Sequence, residues 1–150
     1  MRLHALTTVA ITATLIASTA SAQSLGVKPG KWETSHTFTG TVKAQGMSMS
    51  LPGKTTTDTQ CITEEDATFK PEDLSGEECT TSNVQSTGKS ISFDIDCSQS
   101  GTSMTGRMET TASNDGTSME GTMTMEGSQP GGGSIDMKGD FSGTRIGSCS

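Results

Sequence analysis

Apolar and polar residues alternate with a period of two along most of this chain, which is typical of β-strands. The first alternating run follows Pro29-Gly30 and places these residues on one side: Trp32, Thr34, His36 and Phe38. The second run places these residues on one side: Met47, Met49 and Leu51. It then passes the breaker Pro52-Gly53 and continues through β-favouring threonines to Cys61. We predict two strands here, the second one long and kinked.

Three similar runs follow from Ser103 onwards, and each places apolar residues and one glycine on the same side. They are Met104, Gly106 and Met108; Met119, Gly121, Met123 and Met125; and Ile135, Met137, Gly139 and Phe141. Turn sequences separate them, at Asn114-Asp115-Gly116 and over residues 128–133. The whole pattern predicts an all-β fold, an antiparallel meander of about seven or eight strands that forms a barrel or a strongly curved sheet. Inward glycines would permit the tight curvature.

One short helix is predicted near residues 63–69, because Thr63-Glu64-Glu65-Asp66 resembles a capping box with acids in its first turn. We expect this helix to end before Pro71. Acidic residues are frequent in the same connector: Glu64, Glu65, Asp66, Glu72, Asp73, Glu77 and Glu78. A calcium site is one interpretation of this charge. The spacing of a calcium-binding loop is absent, so we interpret the connector as a solvated loop.

The first 22 residues have the layout of an export signal. Arg2 precedes an apolar, threonine-rich run over residues 6–17, and Ala20-Ser21-Ala22 provides the small residues that signal peptidase recognises. A membrane span needs roughly 20 apolar residues, which this run lacks. We expect a cleavable signal peptide over residues 1–22 and a single disulfide-bonded β domain over residues 23–150, without a stable membrane anchor.

The net charge of the chain is −7, and removal of Arg2 with the leader changes it to −8. Nucleic acids and anionic membranes are bound by clustered lysine and arginine, which this sequence lacks, so we expect neither as a partner. Only 29% of the residues are hydrophobic, and many of these lie in the leader. A core this small needs additional cross-links.

Four cysteines, all after the leader, predict two disulfides in an oxidising compartment. Three pairings exist, and we favour Cys79 with Cys97, because the segment between them reads as a hairpin that turns near Thr87-Gly88-Lys89. Cys61 then pairs with Cys149, closing a long loop worth about 4 kcal/mol. Val84 has the wrong parity for this hairpin, so we expect either a β-bulge or a strand that begins after Cys79.

Several short motifs occur in an order that resembles the domain of unknown function family DUF3617. These are Pro29-Gly30-Lys31-Trp32-Glu33, Cys61-Ile62-Thr63-Glu64-Glu65-Asp66, the pair Cys79 and Cys97, and Arg145-Ile146-Gly147-Ser148-Cys149. The resemblance spans nearly the whole chain after the leader. It implies a periplasmic protein of Gram-negative bacteria with a disulfide-bearing β domain, and it implies no activity.

Few residues after the leader offer catalytic chemistry. His36 is the one histidine there, tyrosine is absent, and the cysteines are expected in disulfides. No nucleophile-elbow motif is present. Asp94 and Asp96 lie on the polar side of their strand and read as surface charges. We therefore predict a non-enzymatic protein without a cofactor, located in the periplasm or outside the cell.

The methionines are the unusual feature of the sequence. All eight after the leader share the parity of the inward residues: Met47, Met49, Met104, Met108, Met119, Met123, Met125 and Met137. The plain interpretation is a core built from methionine. The candidate ligand-binding inner face consists of Trp32, His36, Met104, Met108, Met119, Met123, Met125, Met137 and Phe141.

Three functional hypotheses follow. In the first, glycines leave a cavity that methionines line and that holds an apolar small molecule or lipid. In the second, the methionine sulfurs and His36 bind Cu(I), which suits thioether and imidazole ligands. In the third, the protein binds an envelope partner through an exposed sheet edge or the glycine-rich tip. An inward histidine is also typical of a hydrogen-bonded core residue.

Overall fold

The computed structural model describes residues 23–149, and the predicted leader lies outside the described residues. Its elements are β1 (Leu25–Gly26), β2 (Gly30–Ala44), β3 (Met47–Ile62), β4 (Thr68–Phe69), α1 (Pro71–Ser75), β5 (Cys79–Ser86), β6 (Ser90–Gln99), β7 (Thr102–Ala112), β8 (Ser118–Gln129) and β9 (Gly133–Gly147). The all-β prediction is confirmed. No helix in this part of the chain is long and apolar enough to cross a membrane.

Seven strands form one antiparallel sheet in the order β3-β2-β9-β8-β7-β6-β5, and β1 pairs with β4 beside it. The last five strands are a meander, as predicted, and β9 then lies against β2. Over residues 23–149 no pairing joins the outer strands β3 and β5, so the sheet is open. Of the two predicted forms, this leaves the curved sheet and not the barrel.

Two β-bulges occur where the sequence predicts irregular strands. In β5 the register shifts between Ser82 and Gln85, and Asn83 has a φ of 50°. This bulge lets Cys79 pair directly with Cys97 while Val84 still packs against the core. In β3 the register shifts opposite Phe38 and Gly40, where Pro52-Gly53 interrupts the strand. The predicted bulge in β5 is confirmed, and β3 is irregular at the predicted breaker.

The helix prediction was wrong in position. The chain forms a turn after Thr63, whose hydroxyl donates to the Asp66 carboxylate at 2.7 Å, and it then extends into β4. The helix begins at Pro71 instead of ending before it. Proline is favourable in the first turn of a helix because no N–H is needed there. The Asp73 carboxylate accepts the Lys70 N–H at 2.9 Å and caps the helix.

Both predicted disulfides are present, Cys61–Cys149 and Cys79–Cys97. The first joins the end of β3 to the segment after β9, and the second joins β5 to β6. Cys61 precedes the buried Ile62 at the end of β3, and Cys97 lies on the same side of β6 as the core residue Ile95. The cross-links therefore secure the part of the sheet that carries the core.

The hydrophobic core lies between one side of the sheet and a covering layer, which we call the cap (residues 23–29 and 62–78). The buried apolar residues are Leu25, Val27, Trp32, Ile62, Ala67, Ile91, Phe93, Ile95, Met108, Ala112 and Met125. Backbone hydrogen bonds hold the cap: the Val27 N–H donates to Ala67 O at 2.9 Å, and the Lys28 N–H donates to Gly116 O at 2.8 Å. The cap covers only part of the sheet.

Candidate functional site

The strand register places all eight methionines of residues 23–149 on one side of the sheet, which we call the methionine face. Residues that are directly opposed in an antiparallel pair share a face. Met108 is opposed to Phe93 and to Met123, and Met125 is opposed to Met137. The same rule assigns β2 and β3 through these pairs: His36 with Phe141, Val42 with Met49, and Ala44 with Met47. The single inward side predicted from the alternation is thus present.

Glycines on the methionine face lie beneath large side chains of the neighbouring strands. An ideal Cβ on Gly139 would lie 2.8 Å from Phe38 Cε1, and one on Gly127 would lie 2.7 Å from Met104 Cγ. In each case the covering residue is the direct cross-strand partner. The same arrangement occurs with Gly121 and Phe141, Gly143 and Met119, and Gly106 and Met125.

This layer overturns the expectation that the glycines leave an empty cavity. Without a Cβ, the glycine gives the neighbouring thioether or ring room to lie flat along the sheet. The space is therefore occupied by the protein itself. The methionine face is a thin layer of sulfur and aromatic groups.

Three of the candidate residues are enclosed in the core at the covered part of the face, the closed end. Trp32 is completely buried, and Met108 and Met125 are 7% and 6% exposed. The Trp32 indole N–H donates to Lys28 O at 2.9 Å, which satisfies its only polar group. These three side chains are positioned to hold the fold together.

The other candidates are half-buried, and all of them except His36 pack against this core. They are His36, Met104, Met119, Met123, Met137 and Phe141. Their layer continues outward on β2 and β3 into a region without a cap, the open end, which consists of Phe38, Met47, Met49 and Leu51. These four side chains are 44%, 72%, 64% and 38% exposed.

The ligand-binding inner face predicted from the sequence does not include the four residues of the open end. Its four residues have the parity of the face, so alternation identified their side of the sheet. The position of the run that contains Met47, Met49 and Leu51 was a further signal of exposure. The connector follows this run in sequence, and no third strand comes next that could cover it. Burial depends on the cap, which alternation does not locate.

His36 lies at the middle of β2 with its side chain 39% exposed. Its Nε2 is 3.9 Å from an Asp58 carboxylate oxygen, and its ring centroid is 6.0 Å from that of Phe38. None of the hydrogen bonds described for residues 23–149 joins a hydroxyl to this imidazole. Its cross-strand neighbours are Thr56 and Phe141. His36 is therefore a partly exposed side chain at the margin of the apolar layer.

The register does not bring methionine sulfurs next to His36. Met123 lies on β8, with β9 between it and the histidine strand, which corresponds to roughly 10 Å across the sheet. Met137 is opposed to Gly40, four residues from His36, roughly 13 Å along the strand. Residues 23–149 also contain no group of three or more His, Cys, Asp or Glu side chains with metal-binding geometry. The Cu(I) hypothesis stays a prediction, without support from these neighbours.

The opposite side of the sheet, the polar face, carries serine, threonine and charged residues. Asp94 and Asp96 are on this side, as predicted. Asn83 Nδ2 donates to Asp94 at 2.7 Å and Arg107 Nη1 donates to it at 2.8 Å. Both hydrogen bonds lower the pKa of Asp94 below its usual value, and the one from Asn83 has the larger effect.

A groove of about 560 Å³ lies on the polar face and is lined by residues that include Ser35, Thr37, Glu109, Glu120 and Asp140. Its walls are short polar side chains and carboxylates. The carboxylates do not form a metal-binding group among the described residues. This groove thus lies on the polar face, on the side of the sheet opposite the apolar layer of the methionine face.

A family model described as "Protein of unknown function (DUF3617)" matches residues 27–149, nearly the whole described chain. Neither a curated protein nor a solved structure shows significant similarity to it.

Proposed function

Because the chain belongs to the DUF3617 family, whose description assigns no activity, we propose that it is a non-enzymatic binding domain that holds an apolar ligand on the open end of its methionine face. The observation that carries this proposal is the exposure of Phe38, Met47, Met49 and Leu51 on the same side as the core. Contiguous exposed apolar side chains are typical of interaction surfaces.

The chemistry of the open end favours a flexible apolar ligand such as an acyl chain. Methionine side chains are unbranched and polarisable, so they adapt to ligands without a fixed shape. The glycine-backed layer beside them, in which Phe38 covers Gly139, extends the apolar surface across the next strand. A chain lying along this layer would bury methylene groups against sulfur and ring carbons. We propose an open surface as the binding site instead of an enclosed cavity.

The cysteines support a location outside the cytoplasm. Two disulfides among four cysteines, with no free thiol in the described chain, fit an oxidising compartment. Together with the predicted export signal, this supports a periplasmic or extracellular protein. An apolar surface of this kind would there meet lipids and other envelope components.

The test is a fluorescence titration with a dansyl-labelled fatty acid. We expect saturable binding to the wild-type protein and at least about tenfold weaker binding to the double variant Met47→Ser, Met49→Ser, since two thioethers no longer cover the probe. The matched control is Ser48→Ala, Ser50→Ala, which changes the same strand on its opposite side and should bind like wild type.

Two results would count against the proposal. One is the absence of probe binding by wild-type protein. The other is equal binding by the methionine variant and the serine control, which would show that the probe binds elsewhere. Circular dichroism and thermal unfolding of each variant establish that the sheet is intact.

A further inference from the structure

The outer strand β3 offers a long, accessible sheet edge. It pairs with β2 alone among the described strands, and residues 47–61 are all exposed. Natural proteins usually protect such edges with proline, charges or bulges, because unpaired N–H and C=O groups bind further strands. In β3 the interruption at Pro52-Gly53, with its register shift, lies near the middle of the strand. From Lys54 to Gln60 the strand pairs with β2 in unbroken register.

The opposite edge of the sheet is protected. β5 carries the bulge at Asn83 and the disulfide at Cys79, and helix α1 packs against this strand. The bulge in β3 lies before Lys54, and helix α1 packs against β5 and not against β3. The segment of β3 from Lys54 to Gln60 is therefore the edge suited to accept another strand.

The accessible part of β3 carries opposite charges on the two sides of its central residue, Thr56. It reads Lys54-Thr55-Thr56-Thr57-Asp58, with a cation and an anion at equal distances from Thr56. We propose that two copies of this chain pair through this edge in antiparallel orientation, with a twofold axis at Thr56. Lys54 of each copy then opposes Asp58 of the other. Directly opposed opposite charges stabilise a strand pair, and like charges destabilise it.

The charges of β3 are free for this contact. Lys54 forms no salt bridge within residues 23–149, and Asp58 has only the 3.9 Å approach of His36. A shift of the pairing by two residues would lose both charge pairs. The charges thus specify the register as well as the partner.

The threonines between them suit the same register. On the polar face, Ser35 and Thr57 share a hydroxyl hydrogen bond of 2.9 Å, and Thr37 and Thr55 share one of 2.7 Å. In the proposed dimer Thr55 of one copy opposes Thr57 of the other, which adds another hydroxyl row. Hydroxyls both donate and accept, so this row is self-complementary.

The interface would be isologous, with the same strand contributed by each copy. Its axis is perpendicular to the sheet, so both methionine faces would lie on the same side. The contact uses residues 54–58 and does not depend on ligand binding at Met47 and Met49. Because the pairing is short, we expect a weak dimer that forms with increasing concentration.

Sedimentation equilibrium of the full chain, expressed under oxidising conditions, tests the proposal. In a dimer of the Lys54→Asp variant, an aspartate at position 54 of each copy would oppose Asp58 of the other. In a dimer of the Asp58→Lys variant, a lysine at position 58 of each copy would oppose Lys54 of the other. We expect the dimer of each variant alone to have a dissociation constant at least about tenfold higher than that of the wild-type dimer. An equimolar mixture of the two variants restores both opposite-charge pairs and should form a heterodimer as stable as the wild-type dimer.

This mixing result cannot come from misfolding, because recovery needs two folded partners in the stated register. The proposal is contradicted if the wild-type chain stays monomeric at protein concentrations on the order of 1 mM. It is also contradicted if the single variants dimerise like wild type, or if their mixture forms no heterodimer. A dimer that persists in Lys54→Asp and disappears in Met47→Ser, Met49→Ser would indicate contact through the methionine face and would also overturn it.

Discussion

At the closed end of the methionine face Trp32 and Phe93 are completely buried, whereas at the open end Met47 and Met49 are largely exposed. Both ends belong to one sheet, follow the same alternation and carry apolar side chains of similar size. The difference comes from the cap, which covers β6 and β7 and the beginning of β2 but does not reach the β2–β3 hairpin. Alternation assigns a side chain to a face, and the neighbouring layer determines whether that face is core or surface.

The largest expected effect concerns the disulfide that secures the closed end. Cys61 and Cys149 are 88 residues apart in sequence, and their cross-link should contribute about 4–5 kcal/mol by restricting the unfolded chain. Cys79 and Cys97 are 18 residues apart, which corresponds to about 3 kcal/mol. Urea unfolding without reductant should therefore show a larger loss for Cys61→Ser, Cys149→Ser than for Cys79→Ser, Cys97→Ser. The reverse order would contradict this explanation of their roles.

A phenylalanine at each end gives the most direct contrast in stability. Phe93→Ala should lower the free energy of unfolding by about 3–5 kcal/mol, because it leaves a cavity in the closed core. Phe38→Ala should lower it by about 1 kcal/mol, because that ring is 44% exposed. Equal losses in urea titrations would show that the open end is as well packed as the closed end.

A glycine covered by a ring on the methionine face and a glycine without close neighbours provide a smaller contrast. A Cβ at Gly121 would overlap Phe141 Cζ and lie 2.6 Å from the Glu109 carbonyl oxygen, so Gly121→Ala should cost about 1–3 kcal/mol. Gly147 has no heavy atom within 4 Å of the same position. Gly147→Ala should therefore change the free energy of unfolding by no more than about 0.5 kcal/mol. Thermal unfolding of the two variants side by side measures the difference.

The smallest effect is expected at the β7–β8 turn, to which the cap is anchored through Gly116. Hydrogen bonds from Ser113 and Thr117 lower the pKa of Asp115 from 3.8 to about 2. Its ionised form thus favours the folded state, and this contribution is present above about pH 4 and is lost as the pH falls toward 2. Asp115→Asn should reduce the change in stability over that interval. An unchanged pH profile would exclude the predicted role of the carboxylate.

Period-two alternation was sufficient to predict much of this fold. It identified the side on which every methionine of residues 23–149 lies, and the wrong parity of Val84 indicated the bulge that the structure places at Asn83. The pairing of Cys79 with Cys97 followed from a hairpin between them. These predictions depend on local geometry, which the sequence carries directly.

Other features depend on contacts between distant segments and could not be predicted in this way. The helix was misplaced because Thr63 and Asp66 satisfy each other in a turn, and the pairing of β4 with β1 then extends the chain. The flat packing of rings over glycines requires the cross-strand register, which one strand alone does not define. The boundary between core and open surface requires the position of the cap.

Methionine methyl NMR distinguishes binding at the open end from binding at the closed end, because the two ends of the methionine face carry separate reporters. In protein labelled at the methionine methyl groups, titration with a fatty acid should shift the signals of Met47 and Met49 and leave those of Met108 and Met125 nearly unchanged. If the signals of Met108 and Met125 shift while those of Met47 and Met49 do not, or if no methyl signal moves, the open end is not the binding surface.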